Sequence, residues 1–361
     1  MKHLLVAILL TTGALRAQAP AAQPTPRELF LKNCAQCHGE NGDGNGVQKL
    51  DKPARSFKDG GFSYGNTPEA LLRTITFGIP GTPMPSFATA LTDAQKKDLA
   101  AYVITLGPEV VKVEASETRL VVKDAPLFVR GKLPPIVDGA KETVRGLLVG
   151  TPDGFTFEYD VDDVRLLGVR QGDFVERRDW GGRGGDALQP LGKLVYDTGA
   201  RGGSAFACSG APLRAFFVSS RARGAEAHLA SRLVAADGRT FARVDESASA
   251  ASSALGAGFT RRVRIDAELD GALDFALSSS AGATIVARSS TGCARRRADG
   301  VVELTHLRAA SGRAKLLAED ARVVVRVALE RGSAVDVEAT VVLAPAWTPE
   351  LETAWNAELS R

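Results

Sequence analysis

Cys34-Ala35-Gln36-Cys37-His38 places two thiols and an imidazole side by side in the chain. Residues three apart on a helical turn project from the same side. Two thiols at that spacing reach the two vinyl groups of one porphyrin, and the histidine that follows presents a ring nitrogen to the iron. The motif reads as covalent attachment of haem c. Two other chemistries use paired cysteines. A thioredoxin-like redox pair follows a strand in a βαβ pattern, and none is visible here. A zinc ribbon needs a second cysteine pair at close spacing, and the remaining two, Cys208 and Cys293, are far apart.

The iron needs a ligand on its other face. Beyond the initiator the chain has one methionine, Met84, within Gly81-Thr82-Pro83-Met84-Pro85-Ser86-Phe87. Flanking prolines exclude helix and stiffen the segment, so one side chain is held in a fixed direction. His228 and His306 lie far along the chain and read as ordinary histidines. His38 and Met84 are therefore the expected axial pair, which raises the reduction potential.

The surrounding sequence supplies elements to position these groups. Thr25-Pro26-Arg27-Glu28 opens a helix with a cap and a proline in its first turn, and Leu29 to Leu31 lead into the cysteines. Gly39 to Gly46 is a glycine-rich turn past the haem, with too few acidic ligands for calcium. Thr67-Pro68 caps a helix running to about Phe77. Thr92-Asp93-Ala94-Gln95 starts another, with Leu99, Val103 and Leu106 on its apolar face.

With these residues in order, the segment 24–107 resembles a class I monohaem cytochrome c of the bacterial periplasmic type. CAQCHG, the glycine loop, GIPGTPMPSF and LTDAQKKDLAAYVITL carry the resemblance. It implies a small α-helical fold with an exposed haem edge, helices packed through Phe30 and Tyr102, and outer-sphere electron transfer to a redox partner protein.

The first nineteen residues read as a signal peptide. Lys2 and His3 precede an apolar run from Leu4 to Leu10, and Ala17-Gln18-Ala19 is a small-x-small cleavage site. That run is too short for a bilayer span, which takes roughly 20 residues, and no later stretch qualifies. The expected location is periplasmic or extracellular. Hydrophobic residues make up 44% and charged residues 24% of 361, enough for more than one globular core. The net charge is +3 with both signs interspersed, which excludes the concentrated basic face of a nucleic-acid protein.

After Pro108 the character changes. Residues 108–125 read as a linker, 126–345 as a mainly antiparallel all-β, sandwich-like domain, and 346–361 as a C-terminal helix and tail. Alternation with period two marks Phe155–Val161, Arg262–Asp266, Val323–Leu329 and Val335–Val341. Asp153-Gly154, Asp237-Gly238 and Asp299-Gly300 mark turns. The expected fold class is thus an all-α cytochrome domain followed by an all-β domain. Residues 145–195 faintly resemble a poorly characterised β-rich region of secreted bacterial proteins, through GLLVGTPDGFTFEYDVDDVRLL and DWGGRGGDALQPLG. That resemblance suggests handling of carbohydrate or another polymer and carries over no catalytic residue.

Chemistry in this second half is sparse. Trp180 and Arg183, among four glycines, form a candidate ligand loop, set against a plain glycine-rich hairpin. Asp160, Asp162 and Asp163 read as a solvated edge and turn rather than a metal site, and Arg295 to Arg297 as a basic loop. Export and an even cysteine count favour a Cys208–Cys293 disulfide. The leading reading is an electron-transfer protein whose β-domain docks a partner or binds a substrate. One alternative makes the β-domain an oxidoreductase acting on a carbohydrate-like substrate and feeding the haem. Another makes it a glycan- or protein-binding tether.

Overall fold

The computed structural model describes residues 23–51, 53–79, 82–108, 118–177, 187–199, 204–253, 255–309 and 312–359. The segment 1–19, expected to be a signal peptide, and the candidate loop of Trp180 and Arg183 lie outside the described residues.

The N-terminal part is helical. It comprises α1 (Pro26–Asn33), α2 (Ala35–His38), α3 (Pro68–Phe77) and α4 (Asp93–Thr105). Each longer helix starts where its cap residue dictates. Thr25 and Thr92 form reciprocal capping boxes with Glu28 and Gln95, and the Thr67 hydroxyl accepts the Ala70 N–H. Leu29, Phe30, Leu71, Ile75, Leu99 and Val103 close a small core. Within it the Phe30 and Tyr102 rings meet at 5.5 Å, which fixes α1 across α4.

The remainder is mainly β-structure, and among the described residues every strand pairing is antiparallel. Its first strands are β1 (Arg119–Leu120), β2 (Leu127–Leu133), β3 (Thr143–Gly150) and β4 (Phe155–Asp160). There follow β5 (Arg165–Gln171), β6 (Val175–Glu176), β7 (Gln189–Pro190) and β8 (Lys193–Asp197). These make a three-stranded sheet, β1-β6-β7, and a five-stranded one, β2-β3-β4-β5-β8. The first of them, β1, falls inside the segment expected to be linker.

A twelve-stranded sheet takes up the rest. Its strands begin with β9 (Phe206–Cys208), β10 (Ala211–Arg223), β11 (Glu226–Val234) and β12 (Thr240–Ser253). Next come β13 (Gly256–Ala267), β14 (Gly271–Ser279), β15 (Thr284–Arg288) and β16 (Gly292–Arg296). The last are β17 (Val302–Ala309), β18 (Ala314–Glu319), β19 (Arg322–Leu329) and β20 (Ala334–Ala344). The order is β15-β16-β17-β20-β13-β12-β11-β10-β9-β14-β19-β18. Its two ends come together where β18 lies against β15, β16 and β17, so the sheet is nearly closed. Helix α5 (Pro349–Leu359) lays Trp355 into a small core beside β16, β17 and β20.

Burial follows from how many faces are covered. In β13, Arg262, Arg264 and Asp266 face out while Val263, Ile265 and Ala267 face in, as alternation requires. In β4 the alternation of the sequence does not produce a wet face. Thr156 and Glu158 are as buried as Phe155, Phe157 and Tyr159, because one face of the five-stranded sheet packs on the large sheet and the other is covered by Phe174, Val175 and Leu188. Glu158 is tolerated there because Arg170 pairs with it. The interface with the large sheet is tied by a buried polar cluster. Tyr159 donates to Glu246 at 2.9 Å, and Arg261 donates twice to the same carboxylate at 2.9 Å.

Two expectations are corrected here. Arg295 is no loop residue: it is fully buried on β16, where it pairs with Glu303 at 2.7 Å. Cys208 and Cys293 are both free thiols. They lie on β9 and β16, with six strands between them in the sheet order, so an even cysteine count did not mean a pair. Burial pushes the Cys293 thiol up to about 11.

Candidate functional site

The residues with haem-attaching spacing sit on one short helical segment held from two sides. The Cys34 N–H donates to the Phe30 carbonyl, so α2 continues directly from α1. The glycine-rich turn then folds back over α2. Gly44 N–H donates to His38 O at 2.8 Å, Gly46 N–H to Cys37 O at 3.2 Å, and Gln48 N–H to Gln36 O at 2.9 Å. The approach is close enough that a Cβ at Gly46 would stand 2.1 Å from Gln36 O and 2.5 Å from Cys37 O, so no larger residue fits there.

This turn also sets the histidine. His38 Nδ1 lies 3.0 Å from the Arg55 carbonyl oxygen, and the ring stacks on Phe57 at 4.4 Å. A carbonyl only accepts, so Nδ1 carries the proton and Nε2 keeps a free lone pair. Burial lowers the pKa of the ring, against the opposing effect of the Arg55 hydrogen bond, which keeps the imidazole neutral as a metal ligand requires. Burial, with Cys37 adding to it, pushes the Cys34 thiol up to about 12. Cys37 donates to Gln48 Oε1 at 3.2 Å.

Met84 stands on the segment that follows α3, and that segment is strapped to the helix. Ile79 N–H donates to Met84 O at 3.1 Å, Ser86 Oγ to Thr76 O at 2.7 Å, and Phe87 N–H to Ile75 O at 3.0 Å. Gly78 caps α3 with φ of 69°, and a Cβ on it would meet Met84 O and the Pro85 carbonyl carbon at 2.7 Å. A neutral imidazole with a free Nε2, a tethered thioether and two thiols on one helical turn make a donor set that fits haem c. Among the described residues no group of three or more His, Cys, Asp or Glu side chains is placed to hold a metal ion.

Against one side of this helical part lies a cluster that sequence reading did not find. Asp162 is half-buried and paired rather than solvated. Its carboxylate accepts Arg73 of α3 at 2.6 Å and pairs with Arg145 of β3 at 3.2 Å. Arg145 also donates to the Gly78 carbonyl at 3.2 Å, and its guanidinium lies over the Tyr64 ring at 4.6 Å. Tyr64 and Ala70, from the helical part, are buried in the main core of the β-domain. Nothing local in the sequence signals such contacts.

The neighbouring Asp160 carries a testable pH dependence. Burial pushes its carboxyl up to about 6, with Asp162 and Asp163 adding to the effect; a hydrogen bond from the Asp162 N–H and the charge of Arg73 oppose it. A carboxylate whose folded pKa exceeds its ordinary value of about 3.9 favours the folded state when protonated. That contribution is lost as pH rises from about 4 to about 6. Asp160→Asn is therefore expected to be more stable than the parent at pH 7.5 by about 1–2 kcal/mol, with the gap closing at pH 4. Urea unfolding at the two pH values checks this, and a gap unchanged by pH counts against the burial argument.

The β-domain presents a groove of about 1030 Å³ on the outer face of the large sheet. Its polar side chains pair across strands: Arg262 with Glu338 at 2.9 Å, Arg264 with Asp336 at 3.2 Å, and His228 Nδ1 with Asp245 Oδ1 at 2.7 Å. They reinforce the sheet register rather than converge on a ligand.

Residues 21–103 match the family described as cytochrome c oxidase, cbb3-type, subunit III. Relatives include the cbb3-type cytochrome c oxidase subunit FixP of Azorhizobium caulinodans, 41% identical over 96 residues, and subunit CcoP of Azospirillum brasilense, 37% identical over 92. These alignments take in 27% and 26% of this chain, and each covers 31% of the relative. Among solved structures, heparinase III aligns over 80% of this chain and 47% of its own, at 8% identity and a TM-score of 0.32, a likeness too remote to bear on function. No helix among the described residues is long and apolar enough to cross a membrane. The N-terminal part of the chain is thus a cytochrome c domain, similar to those of cbb3-type oxidase subunits, and it is followed by a large antiparallel β domain.

Proposed function

We propose that the protein is an exported electron carrier with one covalently attached haem c. Cys34 and Cys37 anchor the porphyrin, His38 and Met84 are the axial ligands, and single electrons pass to and from a redox partner protein. The observation that carries this reading is the His38 ring, with Nδ1 committed to the Arg55 carbonyl and Nε2 left as the free donor. The bound haem supplies the one-electron chemistry. The chain's residues would orient the group, and a thioether as the second iron ligand would favour the reduced state. Export is supported by the leader-like residues 1–19 and by the attachment of haem to this motif outside the cytoplasm. Cytochrome and β domains divide at about residues 108–125.

The test is the absorption spectrum of the reduced protein with and without carbon monoxide. An unchanged spectrum is expected, because a closed sixth position leaves no site for the gas. A rapid, complete shift would mean an open or weakly held position, and electron carriage through a His38/Met84 haem would give way to ligand-binding chemistry.

A further inference from the structure

The β-domain reaches the segment that carries Met84. Arg145 is buried on β3 of the five-stranded sheet, yet its guanidinium donates to the carbonyl of Gly78, the C-cap of α3. Gly78 is the residue against which the backbone of Met84 and Pro85 packs, at 2.7 Å from where a Cβ would stand. The next residue, Ile79, holds Met84 O through its N–H. One carbonyl thus links a β-domain cation to the ligand loop. A helix C-terminus concentrates partial negative charge on its last carbonyls, so a buried guanidinium there is held firmly.

The charge of that guanidinium is balanced from one side. Asp162 sits 3.2 Å from Arg145 and also takes the charge of Arg73, so the two cations by the end of α3 share this carboxylate, with Asp160 and Asp163 close beside it. The Tyr64 ring lies under Arg145 and beside Arg130, 5.9 Å from its guanidinium, which fixes the arginines against the cytochrome surface.

We propose that Arg145 is a positioning residue for the sixth-ligand loop. It fixes the Gly78 carbonyl, and through it the Met84–Pro85 backbone, while Asp162 sets how much positive charge remains beside that loop. The β-domain then acts on the haem's reduction equilibrium as well as covering one side of the cytochrome domain. This rests on the reading of Met84 as the sixth ligand given above.

The experiment uses full-length, haem-loaded protein and the variants Arg145→Gln, Arg145→Lys and Asp162→Asn. Reduction midpoints are measured with carbon monoxide association to the reduced form, the sulfur-to-iron absorption band of the oxidised form, and thermal unfolding. Arg145→Gln removes both a tether and a cation. It is expected to shift the reduction equilibrium about tenfold toward the oxidised form, 59 mV for one electron, and to speed carbon monoxide binding about tenfold. Asp162→Asn removes one anion from beside these cations, so its midpoint moves the opposite way. Arg145→Lys keeps the charge but loses the fork, so its midpoint stays near the parent while carbon monoxide binding quickens.

A role confined to joining the domains moves thermal unfolding in all three variants and leaves the midpoints together. That result, or midpoints of Arg145→Gln and Asp162→Asn moving in the same direction, overturns the proposal. Should Arg145→Gln fail to accumulate, faster carbon monoxide binding at an unchanged midpoint in Arg145→Lys, together with a raised midpoint in Asp162→Asn, decides it. A parent protein without the sulfur band, freely open to carbon monoxide, overturns the Met84 reading itself and is recognised before any variant is compared.

Discussion

A chain with serine at both positions 34 and 37 is expected to carry no covalently held haem, so that haem staining after a denaturing gel falls from full signal to background. The reason is chemical: a thioether needs a thiol, and the two sulfurs are presented by one turn running from α1 into α2. Each single serine variant retains one attachment point and is expected to stain weakly, with a haem spectrum altered at one vinyl group. A further consequence follows from burial. In the folded chain the Cys34 thiol is pushed up to about 12 and is therefore un-ionised at neutral pH. Covalent haem retained by the double variant would remove Cys34 and Cys37 as the anchors.

The second large effect is expected at Met84. Met84→Ala leaves the strap between Ile79 and Phe87 largely in place, since its hydrogen bonds use backbone atoms and the Ser86 hydroxyl. What is lost is the sulfur. The reduced variant is expected to bind carbon monoxide fully, and its midpoint to fall by on the order of 100 mV, within the ~0.8 V over which axial ligands set haem potentials. Met84→His is the informative partner. It restores a strong ligand, so the position closes again to carbon monoxide while the midpoint stays low. A Met84→Ala protein that resembles the parent in both readouts would show that another group holds the sixth position.

How far the sequence could be read depended on whether a feature is local. Thr25, Thr67 and Thr92 announce their helices because a cap is a contract between residues three apart, and each helix begins directly after its threonine. Phe30 and Tyr102 packed as the cytochrome resemblance implied. The alternating runs became antiparallel strands for the same reason, since period two needs only the pleat. Failures came where the partner was distant in sequence. The alternation of β4 promised a polar face, and a second layer of Phe174 and Leu188 covered it. Arg295 looked like surface charge until Glu303, across the β16–β17 hairpin, made it a buried ion pair. Asp162 looked solvated because the arginines that claim it come from α3 and β3. No rule of spacing connects residues 73, 145 and 162. Cys208 and Cys293 illustrate the converse, a pairing plausible by count and compartment that the sheet order keeps apart.

The burial of Tyr64 and Ala70 in the β-domain's core bears on how this chain can be recombined. A cytochrome domain is often treated as a cassette, exchangeable at its linkers. Here the cassette shares its interior with its neighbour. A chimera in which a relative's cytochrome domain replaced residues 24–107 would leave Arg130 and Arg145 facing a void wherever no aromatic ring matched Tyr64, and Asp162 without one of its cations wherever Arg73 had no counterpart. The compatible grafts are those that bring the two side chains with them.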